Sequence, residues 1–145
     1  MDVNIYEKLS QWFLDCPEIG DYVYFNVIPY EQDTASINSS SSSSVLREYN
    51  DGSREIQLFF LVDIVKSYDN GGTSDLNLDA INIFDNIIKY VELKNSLSEY
   101  PDLGKNYIVH NIDSTYKSPE VYITPDNPDI ARYEGQFYLE YLERK

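Results

Sequence analysis

The run VLREYNDGSREIQLFFLVDIVK, residues 45–66, decides the fold. Its Asp51-Gly52 pair stands between two strand-like segments, Val45 to Tyr49 and Arg54 to Lys66. That pair is the chemistry of a tight hairpin, whose two central positions take positive φ. In the second arm Ile56, Leu58, Phe60, Val62 and Ile64 share one face, and Phe59, Leu61 and Val65 share the other with Gln57 and Asp63. Both faces are largely apolar, so the strand should lie centrally, covered on one side by a helix and open on the other to a second subunit.

Working outward, Ile5, Leu9, Trp12, Phe13 and Cys16 fall on one face of a 3.6-residue period, predicting a helix over 2–16 ended by Pro17 and Gly20. Asn4 with Glu7 has capping-box spacing, and Asp2 is an equal candidate for the cap. Tyr22 to Ile28 reads as a strand stopped by Pro29. On the far side of the hairpin, Ala80, Ile83, Phe84, Ile87, Ile88 and Val91 make a wide apolar stripe, predicting a helix from about Asp75 to Leu93 with Thr73, Ser74 or Asp75 as cap. Strands follow at Tyr107 to Ile112 and Glu120 to Thr124. A compound turn at 125–129 then leads into a final strand from Tyr133 to Leu142 with Phe137, Leu139 and Tyr141 on one face. The expected architecture is a single α+β domain over 1–145, a mainly antiparallel sheet with two helices packed on one face.

The stretch 31–44, EQDTASINSSSSSS, is the only low-complexity segment. Its six serines, Ser39, Ser40, Ser41, Ser42, Ser43 and Ser44, favour neither a packed strand nor a helix, so a flexible loop is expected. The alternative is the long arm of a hairpin that orders only against a partner subunit.

The chain of 145 residues carries 11 basic and 25 acidic side chains, a formal charge of −14. Four basic and twelve acidic residues lie in the first 72 positions and seven and thirteen in the rest, so the acidity is not confined to a tail. Such a chain gains nothing from counterion release on duplex nucleic acid and is not drawn to anionic lipid. The 14 tyrosines offer flat amphipathic area suited to strands and interfaces. The N-terminus has neither the basic region nor the apolar run of a signal peptide, and no stretch approaches the ~20 apolar residues of a membrane helix. With a single cysteine, the expectation is a soluble cytosolic protein.

Chemistry is sparsely supplied. His110 is the one histidine, sits in a predicted strand, and has no partner marked in the sequence; Cys16 lies on the apolar helix face and reads as core. Asp75, Asn77 and Asp79 have the 1-3-5 spacing of a calcium loop, but Ala80 stands where the sharp turn needs Gly and Asn86 where a bidentate Glu belongs. Gly71-Gly72 lacks the residues of a phosphate loop. Neither an enzyme, a metal site nor a cofactor is expected.

Read in order, these segments resemble the small tail proteins of long-tailed bacteriophages known as minor capsid proteins, and more specifically tail terminators. The likeness runs through the first helix, the strand ending at Pro29, and the hairpin Arg47, Tyr49, Asp51-Gly52, Arg54 and Leu58-Phe59-Phe60. It continues through the INIFDNIIKYVE helix, the Pro101-Asp102-Leu103 connector, and a closing strand of alternating aromatics with an exposed edge. The serine run and Asn50, where a β-former is expected, depart from the pattern. The resemblance implies a virion protein of the tail or neck, assembled in the bacterial host cytoplasm. Its partners would be itself in a hexameric ring, the tail tube protein, and a head-side connector or stopper. It would cap the tube, end its polymerisation and let DNA pass without stable binding, a role shared with headless tail-like particles. An acidic ring lumen would repel phosphate as DNA passes. Interface candidates are Ser39 to Ser44, Tyr49, Asp51, Gly52, Arg54, Tyr138 and Tyr141, and deleting Ser39–Ser44 is expected to weaken ring formation. Rival readings are another head–tail joining or stopper protein, and an acidic inhibitor mimicking nucleic acid.

Overall fold

A computed structural model describes residues 3–19, 23–25, 33–68, 75–115, 118–124 and 127–145. Two helices, α1 (Val3–Phe13) and α2 (Asp75–Ser96), accompany six strands: β1 (Tyr24–Phe25), β2 (Ala35–Glu48), β3 (Arg54–Ser67), β4 (Tyr107–Ser114), β5 (Glu120–Thr124) and β6 (Asn127–Glu143). The spatial order is β1-β2-β3-β6-β4, with β5 also paired to β6. Among the described residues, only the β1–β2 pair is parallel. The α+β class and the central position of β3 are as expected. Asp2, Thr73, Ser74, Gly71-Gly72 and most of the predicted 22–28 strand lie outside the described residues.

Strand alternation decides which face is dry. Ile56, Leu58, Phe60, Val62 and Ile64 of β3 and Tyr133, Phe137, Leu139 and Tyr141 of β6 are all buried. Both helices cover this one face: Phe13 of α1 meets Phe60 and Phe137 at ring-centroid distances of 6.0 and 6.1 Å, and Phe84 of α2 meets Phe137 at 6.3 Å. The helices are tied together where Tyr90 Oη donates to the Trp12 carbonyl (2.9 Å), and Trp12 Nε1 donates to the Glu99 carbonyl (3.0 Å). Helix α1 stops at Phe13, short of the expected 16. Pro17 disfavours helical backbone at Cys16, whose amide instead closes a tight turn on the Phe13 carbonyl.

The serine run is strand, not loop. β2 pairs with β3 from Ala35↔Ile64 to Glu48↔Arg54. It is the long hairpin arm of the alternative reading, but it is ordered within its own subunit by β3. The slack in the run is absorbed locally: Ser39 pairs with Phe60 and Ser43 with Leu58, so β2 spends two more residues than β3 across this interval. Deleting all six serines would therefore join Asn38, opposite Leu61, directly to Val45, opposite Ile56, which one ~3.8 Å Cα step cannot span. That deletion would break the sheet and is not a clean test of assembly. Removing only Ser40 and Ser41 restores equal spacing, and we expect a folded protein whose melting temperature stays within a few degrees of wild type, read by circular dichroism.

Three other expectations change. The hairpin end is not a two-residue turn with both central φ positive. The Gly52 amide donates to the Tyr49 carbonyl (3.0 Å), the Tyr49 amide to the Ser53 carbonyl (2.8 Å), and Gly52 has φ +90 while Asp51 does not enter the positive region. This is a three-residue loop closed by a glycine bulge, and Asn50 sits in the turn, where a β-former has no advantage. Residues 127–129 of the predicted 125–129 turn belong to β6, which begins at Asn127, and 125 and 126 lie outside the described residues. Finally, β6 has no exposed edge over most of its length: β3 pairs along one side and β4 and β5 along the other.

Candidate assembly surface

The interface candidates do not form one patch. At the hairpin end Tyr49 is 40% exposed, beside Val45 (49%) and Leu46 (51%). Leu46 is the extra residue of a bulge, because Val45 pairs with Ile56 and Arg47 with Glu55, and this turns its side chain to solvent. Asp51 accepts the Ser53 amide (2.9 Å), which holds its carboxyl below the ordinary range. Gly52 lies against Lys145: a Cβ there would sit 2.5 Å from Lys145 Cδ. Arg54 pairs with Glu143 at 2.6 Å.

Tyr141 offers little surface, only its edge lining the cleft beside Ser43, Ser44 and Arg54. It is 4% exposed and packs edge-on against Tyr107 at 5.7 Å, because odd-numbered β6 residues face the helices. Tyr138 points to the opposite face and packs on Phe59 at 6.2 Å. Of the serines, Ser39, Ser43 and Ser44 are exposed and Ser40 is half-buried; Ser43 and Ser44 border an open cleft of about 280 Å³ with Ile5, Arg54 and Tyr107.

The helix-free face of the sheet carries what sequence reasoning missed. Asp63 is fully buried there and directly opposite Glu134 in the β3–β6 register. Arg132 Nη1 donates to both carboxylates, at 3.2 Å to Asp63 Oδ1 and 2.8 Å to Glu134 Oε2. Asn38 Nδ2 donates to Asp63 Oδ2 at 2.5 Å. Burial, then the facing Glu134, raises the Asp63 pKa to about 7, against the opposing pull of Asn38 and Arg132. The Arg132 guanidinium also lies 4.4 Å over the Tyr122 ring, and Tyr122 Oη donates to Glu120 Oε2, which pushes the tyrosine up to about 12. Asp63 stood out in the sequence only as a charge in an apolar strand; its partners lie 25, 69 and 71 positions away.

His110 does have a partner. It is the extra residue of a β4 bulge between Val109↔Tyr141 and Asn111↔Glu140, and its Nε2 lies 2.6 Å from Glu55 Oε2 on β3, across the intervening β6. Cys16 is buried, and burial raises its thiol pKa. Asp75, Asn77 and Asp79 lie in the opening turns of α2, so the 1-3-5 spacing falls on a helix and not on a loop. Among the described residues, no three His, Cys, Asp or Glu side chains gather as a metal-binding group, and no helix is long and apolar enough to cross a membrane.

The arrangement is thus a sheet dry on one face, a salt-bridged polar face on the other, and an exposed apolar hairpin end. No protein-family model matches this sequence, and no curated protein matches it.

Proposed function

We propose that this chain is a structural subunit of a phage tail or tail-like particle, which closes into a ring on the end of the tail tube and stops its growth. The observation that carries the reading is the hairpin end. At the end of the 14-residue arms β2 and β3, Val45, Leu46 and Tyr49 are three large side chains left 40–51% exposed, while the hairpin's residues facing the helices, Ile37, Ile56, Leu58, Phe60, Val62 and Ile64, are buried. Exposed apolar groups gathered at this end of the sheet, beside the β6 terminus, suit docking on another protein. The half-buried Phe59–Tyr138 pair on the helix-free face adds a second aromatic surface.

The test is electron microscopy of purified chain mixed with tail-tube protein. Wild type should occupy tube ends and shorten the tube-length distribution. Replacing Leu46 and Tyr49 by Glu should abolish end occupancy while leaving stability within about 0.5 kcal/mol, since both side chains are exposed. Wild-type protein that never sits at tube ends defeats the reading.

A further inference from the structure

The net charge of −14 hides a separation that only the sheet makes visible. At one end, Glu48 pairs with Arg54, Arg54 with Glu143 and Glu143 with Tyr107, so the hairpin end, the β6 terminus and the start of β4 lie side by side. The Arg144 amide donates to the Asn106 carbonyl at 2.8 Å, and Lys145 covers Gly52. This brings Arg47, Arg54, Lys105, Arg144 and Lys145 to one end, five of the chain's eleven basic residues. Arg54 is paired with Glu143. The other four are exposed and form no ion pair among the described residues. An open cleft of about 450 Å³ lies between Arg54, Arg144 and Lys145.

The opposite end is acidic. There the Tyr68 amide donates to the Asp129 carbonyl and the Asp33 amide to the Val65 carbonyl, and Glu120 pairs with Glu134. Asp33, Glu120 and Asp129 are exposed. Among the described residues, the cations nearby, Lys66 and Arg132, are already engaged, with Asp33 and with the Asp63–Glu134 pair. At about 3.4 Å per residue, the 14 residues of β3 separate the two ends by about 45 Å. That is several Debye lengths at 0.1 M salt, so each end presents its own sign to an approaching molecule.

We propose that the basic end of one copy docks on the acidic end of a second copy, head to tail. Charge points to a second copy as the occupant: the basic end is interrupted by Glu48, Asp51 and Glu143, which disfavours a polyphosphate, while the chain itself carries the complementary surface. A repeated contact between two different surfaces closes into a ring when its rotation permits. The inference thus rests on the ring reading above and names the surfaces that make the ring.

Two variants test it by sedimentation velocity at 0.1 M salt, with circular dichroism to check folding. The Arg144→Glu/Lys145→Glu variant reverses the basic end, and Glu120→Lys/Asp129→Lys reverses the acidic end. Wild type should self-associate at concentrations up to about 1 mM, and 1 M salt should weaken this at least tenfold. Each variant alone should lose association at least tenfold, because its two ends now repel. An equimolar mixture should recover it, because each reversed end finds an opposite partner. A wild type that stays monomeric, reversal without effect, or a mixture that fails to recover overturns the proposal. Tube-end binding is scored separately. Ends capped regardless of these reversals sink the docking geometry and spare the cap. Charge-dependent association without any tube-end binding does the opposite.

Discussion

Replacing Arg132 by Met should destabilise the protein by about 3–5 kcal/mol at pH 8 and by far less at pH 5. Arg132 bonds both Asp63, fully buried, and Glu134, opposite it across the β3–β6 ladder. Without the guanidinium, two facing carboxylates lose their counter-charge, and one must take up a proton or the sheet must open. At pH 5 Asp63 already holds its proton, because its pKa in the fold is about 7. The wild type should show the same linkage more gently. A carboxyl raised from 3.8 to about 7 binds more protons folded than unfolded between those values, so its contribution to stability falls as pH rises through that window. Asp63→Asn should flatten the slope, since the amide can still accept from Asn38 and has no charge to lose. Urea unfolding of the three proteins at pH 5 and pH 8 decides the matter; an Arg132→Met loss that is equal at both pH values refutes the account.

The second large effect is in the core. A Cβ on Gly135 would sit 2.5 Å from Phe84 Cζ and 2.6 Å from Cε1. The glycine is therefore a slot in β6 that lets the α2 ring reach the sheet and touch Phe137. Phe84→Ala should cost about 3–5 kcal/mol, the usual range for a fully buried ring. Gly135→Ala should cost about 1–3 kcal/mol by overpacking, because the ring is wedged between helix and strand and is not the free end of a flexible chain. Combined, they should cost less than their sum, since the new methyl enters space the ring has left. Strict additivity in thermal unfolding would show that the two positions do not touch.

Much of the fold was legible because it depends on local periodicity. The two-faced apolar run 56–65 required a central strand, and β3 is flanked by β2 and β6. The 80–91 stripe required a helix against a sheet, and Ala80, Phe84, Ile87, Ile88 and Val91 are buried. The serine run misled because serine side chains carry no strand signal; what makes 39–44 a strand is the backbone of β3, which offers partners over its whole length. The clue was indirect: Ala35 and Ile37 alternate into the core, so the arm had to reach back that far.

The interface candidates divided in the same way. Asp51 and Gly52 were readable as turn residues from their own chemistry. Strand alternation already put Tyr141 with Phe137 and Leu139 and Tyr138 on the other face, but that the helices cover the Phe137 face, burying Tyr141, came only from the packing.

Charge shows the boundary most clearly. The sequence by itself determined the class of the sheet, its central strand, both helices and a net charge of −14, because composition and short-range period are properties of neighbouring residues. Only the tertiary structure decided that Arg132 and Glu134 form one network around the buried Asp63, and that Arg47, Arg54, Lys105, Arg144 and Lys145 meet at one end of an otherwise acidic molecule. Electrostatic energy depends on distance through space, and strand pairing brings together residues that the chain keeps scores of positions apart.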